Sequence, residues 1–460
     1  MPYSPLRNWA QLSPNNLALI TPSRRYTWSE LYQTVLKYVD TLTQQDVKPG
    51  NVVTCVGKNS AELVLIYLAC MELGVVCAIT MPQPQATLHG KLNTLYADNR
   101  SQHLWCSDGQ GFAGAIIFNH TSMLRNPCVK SAYQVDALAS IIFTSGSMGK
   151  PKAVAHSHAQ HLASAQGLLA GFHFRSNDTW LLSLPMYHVS GLAIVYRWLH
   201  AGASLKVGIG DLLQDIQDVT HVSLVATQLN RLLDANTPLS LTHVLLGGSH
   251  VPLTLSQQAA KKGIETWLGY GMTEAASTVT AKRIDGNYSA GRVLPKRKVE
   301  LRDGHVFIGG ETLASGYYCQ GQITPIQDVE GWFDSKDLGY WIENGELVIQ
   351  GRADNQFISG GENIHCEEIE QVLNAHPNVL QSMVVAVVNA QYGARPIAFV
   401  STNKPREEID FSVWLSDRLE RFKHPQQFLS LPASVLNSGI KMSRSELKRW
   451  VSNHTDFEVI

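Results

Sequence analysis

The amino-acid sequence predicts an α/β protein. It has a large N-terminal domain of doubly wound sheets with a small β-barrel-like subdomain, followed by a small α+β C-terminal domain. The chain has 460 residues, more than one hydrophobic core usually accommodates, so at least two domains are expected. Strand-like apolar runs alternate with helical patterns up to residue 246, as in parallel sheets covered by helices. After about residue 290, hairpin signals indicate antiparallel structure.

The alternating part begins with a helix whose start is marked by Thr27. Glu30 follows three residues later, which is the spacing of a capping box, and apolar residues then recur at helical spacing from Leu31 to Leu42. The elements predicted after this helix are strands at 52–56, 75–79, 139–143, 180–184, 222–226 and 243–246, and helices at 61–73 and 158–169.

The antiparallel part is predicted from two dipeptides that favour tight hairpins, Asp303-Gly304 and Asn344-Gly345. A separate α+β unit of about 105 residues begins at Gly351, a reasonable size for a small domain. The elements predicted in these parts are strands at 299–301, 305–308, 345–349 and 382–388, and a helix at 366–375.

The composition excludes several classes of function. Lys and Arg number 37 against 38 Asp and Glu, so no nucleic-acid-binding surface is expected. The seven cysteines include no C-x-x-C pair, which argues against a zinc site and a disulfide framework. The apolar run 63–79 is interrupted by Glu72 and Gly74, and the first residues do not resemble a signal peptide. We therefore expect a cytoplasmic protein without stable membrane insertion.

The segment most informative about function is the Ser- and Gly-rich stretch 144–153, TSGSMGKPKA, expected between an apolar strand and a helix. Its backbone N–H groups, hydroxyls and two lysines suit phosphate oxygens. It is not a P-loop, because Gly146 and Gly149 are too close together and Pro151 follows the lysine. It is not a nucleophile elbow, since Ser145 stands where that motif has its first glycine. Taken alone, an ordinary surface loop is the alternative.

Several motifs together resemble those of the adenylate-forming superfamily, which comprises acyl-CoA synthetases, luciferases and the adenylation domains of peptide synthetases. The stretch 144–153 is similar to that family's phosphate-binding signature, except that Met148 stands where Thr is usual and removes one hydroxyl donor. The segment 269–274, GYGMTE, resembles the second signature. Further matches follow in the family's order at 247–249, Asp337, 351–355, 360–363 and 438–441.

The resemblance implies a binding site for ATP and for the AMP part of an acyl-adenylate. Tyr270 would stack on adenine, Asp337 would accept hydrogen bonds from both ribose hydroxyls, and Arg352 would lie near the ribose. Thr273 would contact the α-phosphate, and Glu274 would hold Mg²⁺, which takes few protein ligands. The residues implied in nucleotide binding are Thr144, Ser145, Gly146, Ser147, Gly149, Lys152, Gly247, Gly248, Ser249, Gly269, Tyr270, Gly271, Thr273, Asp337 and Arg352.

The implied reaction has two halves. In the first, Lys441 would bridge the substrate carboxylate and the α-phosphate while pyrophosphate leaves. In the second, the C-terminal domain would rotate about a hinge at 352–354, with Asp354 as pivot, so that Gly360 and Gly361 line a tunnel for CoA. The domains implied are 1–351, which binds AMP and the acyl group, and 355–460, a mobile catalytic lid. The residues implied in catalysis are Lys441, Glu274, Thr273 and His188.

Arg197 stands out in the apolar stretch that follows His188. A helix beginning near Ser190 would place positions 190, 194 and 197 on one face, so that Arg197 looks towards the same pocket as Ser190. A guanidinium in apolar surroundings needs an anionic partner. The partner is either a second carboxylate on the substrate or a neighbouring Asp or Glu, and the residue pattern leaves both open.

The resemblance favours a substrate carboxylate. The segments 181–199, 278–279, 357–362 and 439–443 are similar to those of the bacterial o-succinylbenzoate–CoA ligases of menaquinone biosynthesis, whose substrate is an aromatic diacid. This implies that Arg197 holds the benzoate carboxylate, with Ser190 and Thr278 in the pocket wall. It also implies a requirement for ATP, CoA and Mg²⁺.

Other interpretations differ in the acid or in the acceptor. Another aryl- or acyl-CoA ligase acting on a monoacid would have no need for Arg197. A carrier-protein-loading adenylation enzyme would pass the acyl group to a tethered pantetheine, and a luciferase-type oxygenase would emit light with a luciferin. A non-catalytic nucleotide-binding protein would be expected to lack Lys441 or Glu274, and both are present.

Two further features have plain structural interpretations. His156, His158 and His161 follow the phosphate-binding stretch, and we predict histidines on a helix surface rather than zinc ligands. Cys366 is predicted to be a packed thiol at the start of a helix rather than a reactive one.

Overall fold

The computed structural model describes residues 3–98, 102–107, 132–144, 151–235, 238–247, 251–359, 362–433 and 444–460. Within these ranges the helices are α1 (Pro5–Leu12), α2 (Trp28–Gln44), α3 (Ala61–Leu73), α4 (Gln85–Leu95), α5 (His158–Leu169), α6 (Val189–Ala201), α7 (Leu212–Asp215), α8 (Ala226–Asp234), α9 (Leu253–Lys261), α10 (Cys366–Asn374), α11 (Phe411–Ser416) and α12 (Arg444–His454).

The strands in the same ranges are β1 (Leu17–Ile20), β2 (Arg25–Thr27), β3 (Val52–Val56), β4 (Val76–Thr80), β5 (His103–Cys106), β6 (Leu138–Thr144), β7 (Lys152–Ser157), β8 (Thr179–Leu181), β9 (Ser204–Lys206), β10 (His221–Leu224), β11 (His243–Gly247), β12 (Glu265–Met272), β13 (Ser277–Arg283), β14 (Arg292–Val293), β15 (Arg297–Arg302), β16 (His305–Gly310), β17 (Gly316–Cys319), β18 (Gln322–Thr324), β19 (Phe333–Trp341), β20 (Leu347–Arg352), β21 (Gln356–Ser359), β22 (Glu362–His365), β23 (Val379–Asn389), β24 (Gly393–Thr402) and β25 (Gln427–Ser430).

The largest sheet has the strand order β14-β13-β12-β11-β10-β8-β9-β1-β2 over the described residues. The strands from β12 to β1 in this order are parallel to their neighbours, and antiparallel strands cover both edges. In open parallel sheets, ligands bind at the carboxyl ends of the strands. Residues at the ends of β11 and β12 are therefore well placed for a site, and both ends carry predicted nucleotide-binding residues.

A second sheet, in the order β18-β17-β7-β6-β4-β3-β5, carries the strands on both sides of the predicted phosphate-binding loop. Strand β7 pairs antiparallel with β6, so a strand that was not predicted lies between the loop and the helix predicted at 158–169. The helix α5 begins only after β7, where Ser157 and Gln160 form a capping box. The small apolar residues Ala153 to Ala155 pair with β6 and are buried, which explains why they extend the sheet.

The antiparallel region predicted after residue 290 is a sheet in the order β15-β16-β19-β20. Its first hairpin turns at Asp303 and Gly304, whose φ angles of 50° and 78° fit the type I′ turn that an Asp-Gly pair favours. Strand β19 places Asp337 opposite Arg352 of β20. This pairing brings two predicted ribose-binding residues together.

The C-terminal part contains the β21–β22 hairpin and a sheet in the order β23-β24-β25. Two clusters of buried apolar residues lie entirely between Phe357 and Val451. Cys366 begins α10 and is buried, as predicted. The division into 1–351 and 355–460, with a hinge at 352–354, stays a prediction.

The main core of the N-terminal part encloses α3 and α6. Trp198 of α6 stacks on Trp28 of α2 with ring centroids 5.2 Å apart, and α6 is buried along most of its length. This packing places Arg197 deep in the protein. Among the helices that the structure describes, none is long and apolar enough to cross a membrane.

Candidate active site

The second signature forms a sharp corner between β12 and β13. Gly269 lies beside Gly247 of β11, and Gly271 approaches the chain so closely that a Cβ atom there would lie 1.7 Å from the carbonyl oxygen of Ser277. A short 3₁₀ turn follows at Thr273–Ala275. Ala276 and Ser277 then have φ angles of 50° and 91°, which non-glycine residues rarely adopt. The corner presents Thr273 and Glu274 at the carboxyl end of the sheet.

Tyr270 and Asp337 connect this corner to the antiparallel sheet. The Tyr270 hydroxyl donates a hydrogen bond to Asp337 Oδ2 at 2.5 Å, and burial together with the Asp337 charge raises the pKa of Tyr270. Asp337 is buried, and its backbone N–H donates to Ser335 Oγ at 3.0 Å. Arg352 Nη1 lies 3.6 Å from Asp337 Oδ1. The three residues implied in holding adenine and ribose are therefore neighbours.

Arg352 also joins the segment predicted as the hinge. Its Nε and Nη2 atoms donate to the two carboxylate oxygens of Asp354 at 3.0 and 3.1 Å, and this pairing lowers the pKa of Asp354. Gly351 is closely packed, since a Cβ atom there would lie 2.6 Å from Glu367 Oε2 of α10. Asn355 donates to Glu367 Oε1 at 2.7 Å. These contacts tie the predicted hinge to the first helix beyond it.

Glu274 has a neighbour that the sequence did not reveal. Tyr317 of β17 donates to Glu274 Oε1 at 3.3 Å, and burial together with the Glu274 charge raises the pKa of Tyr317 to about 12. Lys152 Nζ lies 4.9 Å from the centroid of the same ring. Lys152 pairs with Thr144 across the base of the phosphate-binding loop. Lys152 of the predicted phosphate-binding loop and Glu274, the predicted magnesium ligand, thus lie on the same side of the candidate site.

The carboxylate of Glu274 fits a magnesium ion that arrives with a nucleotide. The described residues contain no group of three or more His, Cys, Asp or Glu side chains that could hold a metal by themselves. Mg²⁺ bound to ATP does not need such a group, because it keeps several waters and takes one or two carboxylates together with phosphate oxygens. Glu274 is partly exposed and one of its oxygens is held by Tyr317, so it can supply that single ligand.

Arg197 is 2% exposed and has no carboxylate partner among the residues that the structure describes. Its Nη2 donates to Thr278 Oγ1 at 3.2 Å, and its Nε has no hydrogen-bond partner in the same part of the chain. The guanidinium lies 5.3 Å from the ring centroid of Trp180. Burial, with a smaller contribution from the positive charge of Arg297, lowers the pKa of Arg197 to about 9. Within the described ranges, the alternative of an internal salt bridge therefore finds no support.

Ser190 and His188 lie at the start of the same helix. His188 is exposed and precedes α6, with its ring centroid 4.9 Å from that of Tyr187. Ser190 is half-buried in the first turn, on the same helical face as Arg197 and about two turns before it. Their roles in the pocket stay predictions.

Several predicted residues fall outside the described ranges, and nothing is concluded about their positions. They are Ser145, Gly146, Ser147 and Gly149 of the phosphate-binding loop, Gly248 and Ser249 of the adenine turn, Gly360 and Gly361 of the CoA tunnel, and Lys441.

The prediction that His156, His158 and His161 lie on a surface is wrong. All three are buried between α5, β7 and α6. His158 Nδ1 is 2.8 Å from Tyr196 Oη, and His161 Nε2 is 2.7 Å from Ser140 Oγ. They are buried because residues 153–157 of β7 are all covered and because the first turns of α5 pack against the core.

Three comparisons with known proteins bear on this site. The AMP-binding enzyme family matches residues 6–88 and 85–318, and the C-terminal domain of AMP-binding enzymes matches residues 368–452. The 2-succinylbenzoate–CoA ligase of Escherichia coli is 39% identical over 97% of this chain and 98% of its own.

Solved structures give the same result. The chain is similar to an arginine-to-lysine variant of E. coli MenE with bound OSB-AMS, at a TM-score of 0.88 and 37% identity over 97% of this chain and 98% of that one. It is also similar to o-succinylbenzoate coenzyme A synthetase (MenE) from Bacillus subtilis in complex with ATP and magnesium ion. That match has a TM-score of 0.79 and 27% identity over 93% of this chain and 95% of that one.

The fold and the site define an adenylate-forming enzyme. The chain belongs to the AMP-binding enzyme family. The predictions of the superfamily, of the α/β fold class and of a resemblance to o-succinylbenzoate–CoA ligases are confirmed.

Proposed function

We propose that this enzyme forms 2-succinylbenzoyl-CoA from 2-succinylbenzoate, ATP and CoA, releasing AMP and pyrophosphate, as a step of menaquinone biosynthesis. The relatives named 2-succinylbenzoate–CoA ligase support the reaction. The observation that carries the choice of acid is the buried Arg197, which lacks a carboxylate partner in the described part of the chain. A buried cation is strongly destabilising unless an anion accompanies it, and a diacid supplies that anion.

In the first half-reaction, an oxygen of the succinyl carboxylate attacks the α-phosphorus of ATP, and the bond to pyrophosphate breaks. The protein positions the two reactants and stabilises charge. Asp337 and Tyr270 would hold the adenosine, and Thr273 would contact the α-phosphate. Lys441 would bridge the carboxylate and the α-phosphate. Mg²⁺ held by Glu274 would offset the negative charge of the phosphates.

In the second half-reaction, the CoA sulfur attacks the acyl carbon, the thiol proton is lost, and the bond from the acyl carbon to the AMP oxygen breaks. The Arg352–Asp354 pair would act as the hinge that lets the C-terminal part change its position between the halves. Gly360 and Gly361 would line the path of the pantetheine chain, where close approach of the backbone favours glycine.

The experiment is to incubate the purified enzyme with ATP, Mg²⁺, CoA and single acids, and to measure AMP release and thioester formation. The acids are 2-succinylbenzoate, benzoate, salicylate, hexanoate and palmitate. We expect turnover of 2-succinylbenzoate alone, lost in Lys441→Ala. Better turnover of a monoacid would overturn the substrate, and adenylate formation without a thioester would indicate a carrier-protein acceptor.

A further inference from the structure

Arg297 is a second buried arginine close to Arg197, at the start of β15. It is 6% exposed, and in the described part of the chain all of its hydrogen bonds go to neutral oxygens. Its Nε donates to the Thr278 carbonyl at 2.9 Å. Its Nη1 donates to the carbonyls of Pro295 and Ala163 at 2.8 and 3.4 Å, and its Nη2 donates to the carbonyl and Oγ of Ser164, both at 2.9 Å. Burial lowers the pKa of Arg297 to about 10.

The surroundings leave a defined space for this guanidinium. A Cβ atom on Gly167 of α5 would lie 1.9 Å from Arg297 Nη1, so a glycine at that position makes the room. Ser164, which accepts from Arg297, also donates from its Oγ to the carbonyl of Ala276 at 2.5 Å. Arg297 therefore ties α5 to the corner that follows the second signature.

Thr278 is the link between the two arginines. Its carbonyl accepts from Arg297 Nε, and its Oγ1 accepts from Arg197 Nη2 at 3.2 Å. Fixing the backbone of Thr278 on one side thus fixes the side chain that orients Arg197 on the other. The positive charge of Arg297 also contributes to the lowered pKa of Arg197, which means that the two cations repel each other in buried surroundings.

Two buried cations without a carboxylate partner in the described residues form an arrangement that an anion would stabilise. We propose that Arg297 is a positioning residue for diacid selection: it fixes Thr278, which holds Arg197 against the second carboxylate of the substrate. This inference rests on the proposed function and deepens it, because it names a residue that acts on the substrate carboxylate through Thr278 and Arg197.

The test compares 2-succinylbenzoate with 4-oxo-4-phenylbutanoate, which is the same acid without the ring carboxylate. The quantity measured is the diacid preference, defined as kcat/KM for the first acid divided by kcat/KM for the second. In Arg297→Gln we expect this preference to fall about tenfold, because a charge-assisted contact of Arg197 is weakened. The KM for ATP should stay within about twofold of wild type. Equal loss on both acids would overturn the proposal, since a merely structural residue affects them alike.

Thr278 provides the second variant, which decides the matter even if Arg297→Gln does not fold. Thr278→Val removes the Oγ1 acceptor at nearly constant shape, and Thr278→Ser keeps it. We expect the diacid preference to fall in Thr278→Val and to be retained in Thr278→Ser. An unchanged preference in Thr278→Val would overturn the link to Arg197. Absence of turnover of 2-succinylbenzoate by the wild-type enzyme would instead overturn the proposed function.

Discussion

Tyr270 and Asp337 are separated by 67 positions in the chain, and the hydroxyl of one donates to the carboxylate of the other at 2.5 Å. The first residue belongs to the large sheet and the second to the antiparallel sheet. The hydrogen bond thus joins two sheets at the place where the adenosine is predicted to bind. The other carboxylate oxygen of Asp337 lies 3.6 Å from Nη1 of Arg352. Both oxygens therefore have protein neighbours, and the carboxylate is oriented before any ligand binds.

Asp337→Asn should weaken binding of ATP and leave binding of the acid substrate unaffected. The carboxylate is predicted to accept hydrogen bonds from the ribose, and an amide has one acceptor oxygen and no charge. We expect the KM for ATP to rise about tenfold. Asp334→Asn is the matched control, since Asp334 lies on the same strand but pairs with Lys336. The measurement is the steady-state KM for ATP. An equal rise in both variants would contradict the ribose-binding role of Asp337.

Gly271→Ala should destabilise the protein and disturb the second signature. The new Cβ would lie 1.7 Å from a backbone oxygen, which cannot move aside as a flexible side chain would. We expect the free energy of unfolding to fall by about 2–3 kcal/mol. Gly90→Ala in α4 is the control, because a Cβ there meets nothing within 4 Å. A helix interior should gain about 0.5–1 kcal/mol from that change. Urea unfolding measures both, and equal stability of the two variants would refute the close packing of Gly271.

The buried histidines predict a loss of stability in acid. Burial lowers the pKa of His156 to about 4 and that of His158 to about 3, and it places the pKa of His161 well below its usual value. In the unfolded chain a histidine titrates near pH 6.5. Below that pH, each histidine that stays neutral in the folded protein lowers the free energy of unfolding by about 1.4 kcal/mol per pH unit. As the pH falls, these histidines are therefore protonated in the unfolded chain before they are in the folded protein. Their contribution to the free energy of unfolding is fully present above pH 7 and declines as the pH falls towards 4.

Between pH 7.5 and 5.5, we expect these three histidines to lower the free energy of unfolding by about 3–4 kcal/mol. In His158→Gln the decline should be smaller by about 1.4 kcal/mol, whereas His454→Gln, an exposed position in α12, should behave as wild type. Urea unfolding at the two pH values provides the comparison. An identical decline in His158→Gln and wild type would show that His158 is not held neutral.

The sequence predicted the structure correctly where the deciding interactions lie within a few residues of one another. The capping box of Thr27 and Glu30 starts α2 as predicted, and Asp303-Gly304 forms its hairpin. Predictions failed where tertiary pairing decides the structure. Residues 152–157, for which no element was predicted, form a strand because β6 offers an edge beside them, and the helix predicted at 158–169 follows at those bounds.

The candidate site shows the same division. The motifs singled out Tyr270, Glu274 and Asp337, because each lies in a recognisable segment, and Arg197 stood out as a charge in an apolar helix; their roles stay predictions. Tyr317 and Arg297 were missed, since they lie in ordinary β-strands and reach the site only through the pairing of β17 with β7 and the packing of β15 against α5. The feature that points to Arg297 is visible only in the structure: its guanidinium occupies the space that a Cβ atom on Gly167 would fill.

The central claim is that the buried guanidinium of Arg197 binds the second carboxylate of the substrate. The most direct test is the diacid preference of Arg197→Gln beside that of wild type, with 2-succinylbenzoate and 4-oxo-4-phenylbutanoate as the acids and thioester formation as the readout. We predict that the preference falls about 100-fold, because a desolvated charge pair is lost, and that the KM for ATP is unchanged. A preference equal to that of wild type, with kcat/KM lowered by the same factor for both acids, would contradict the claim.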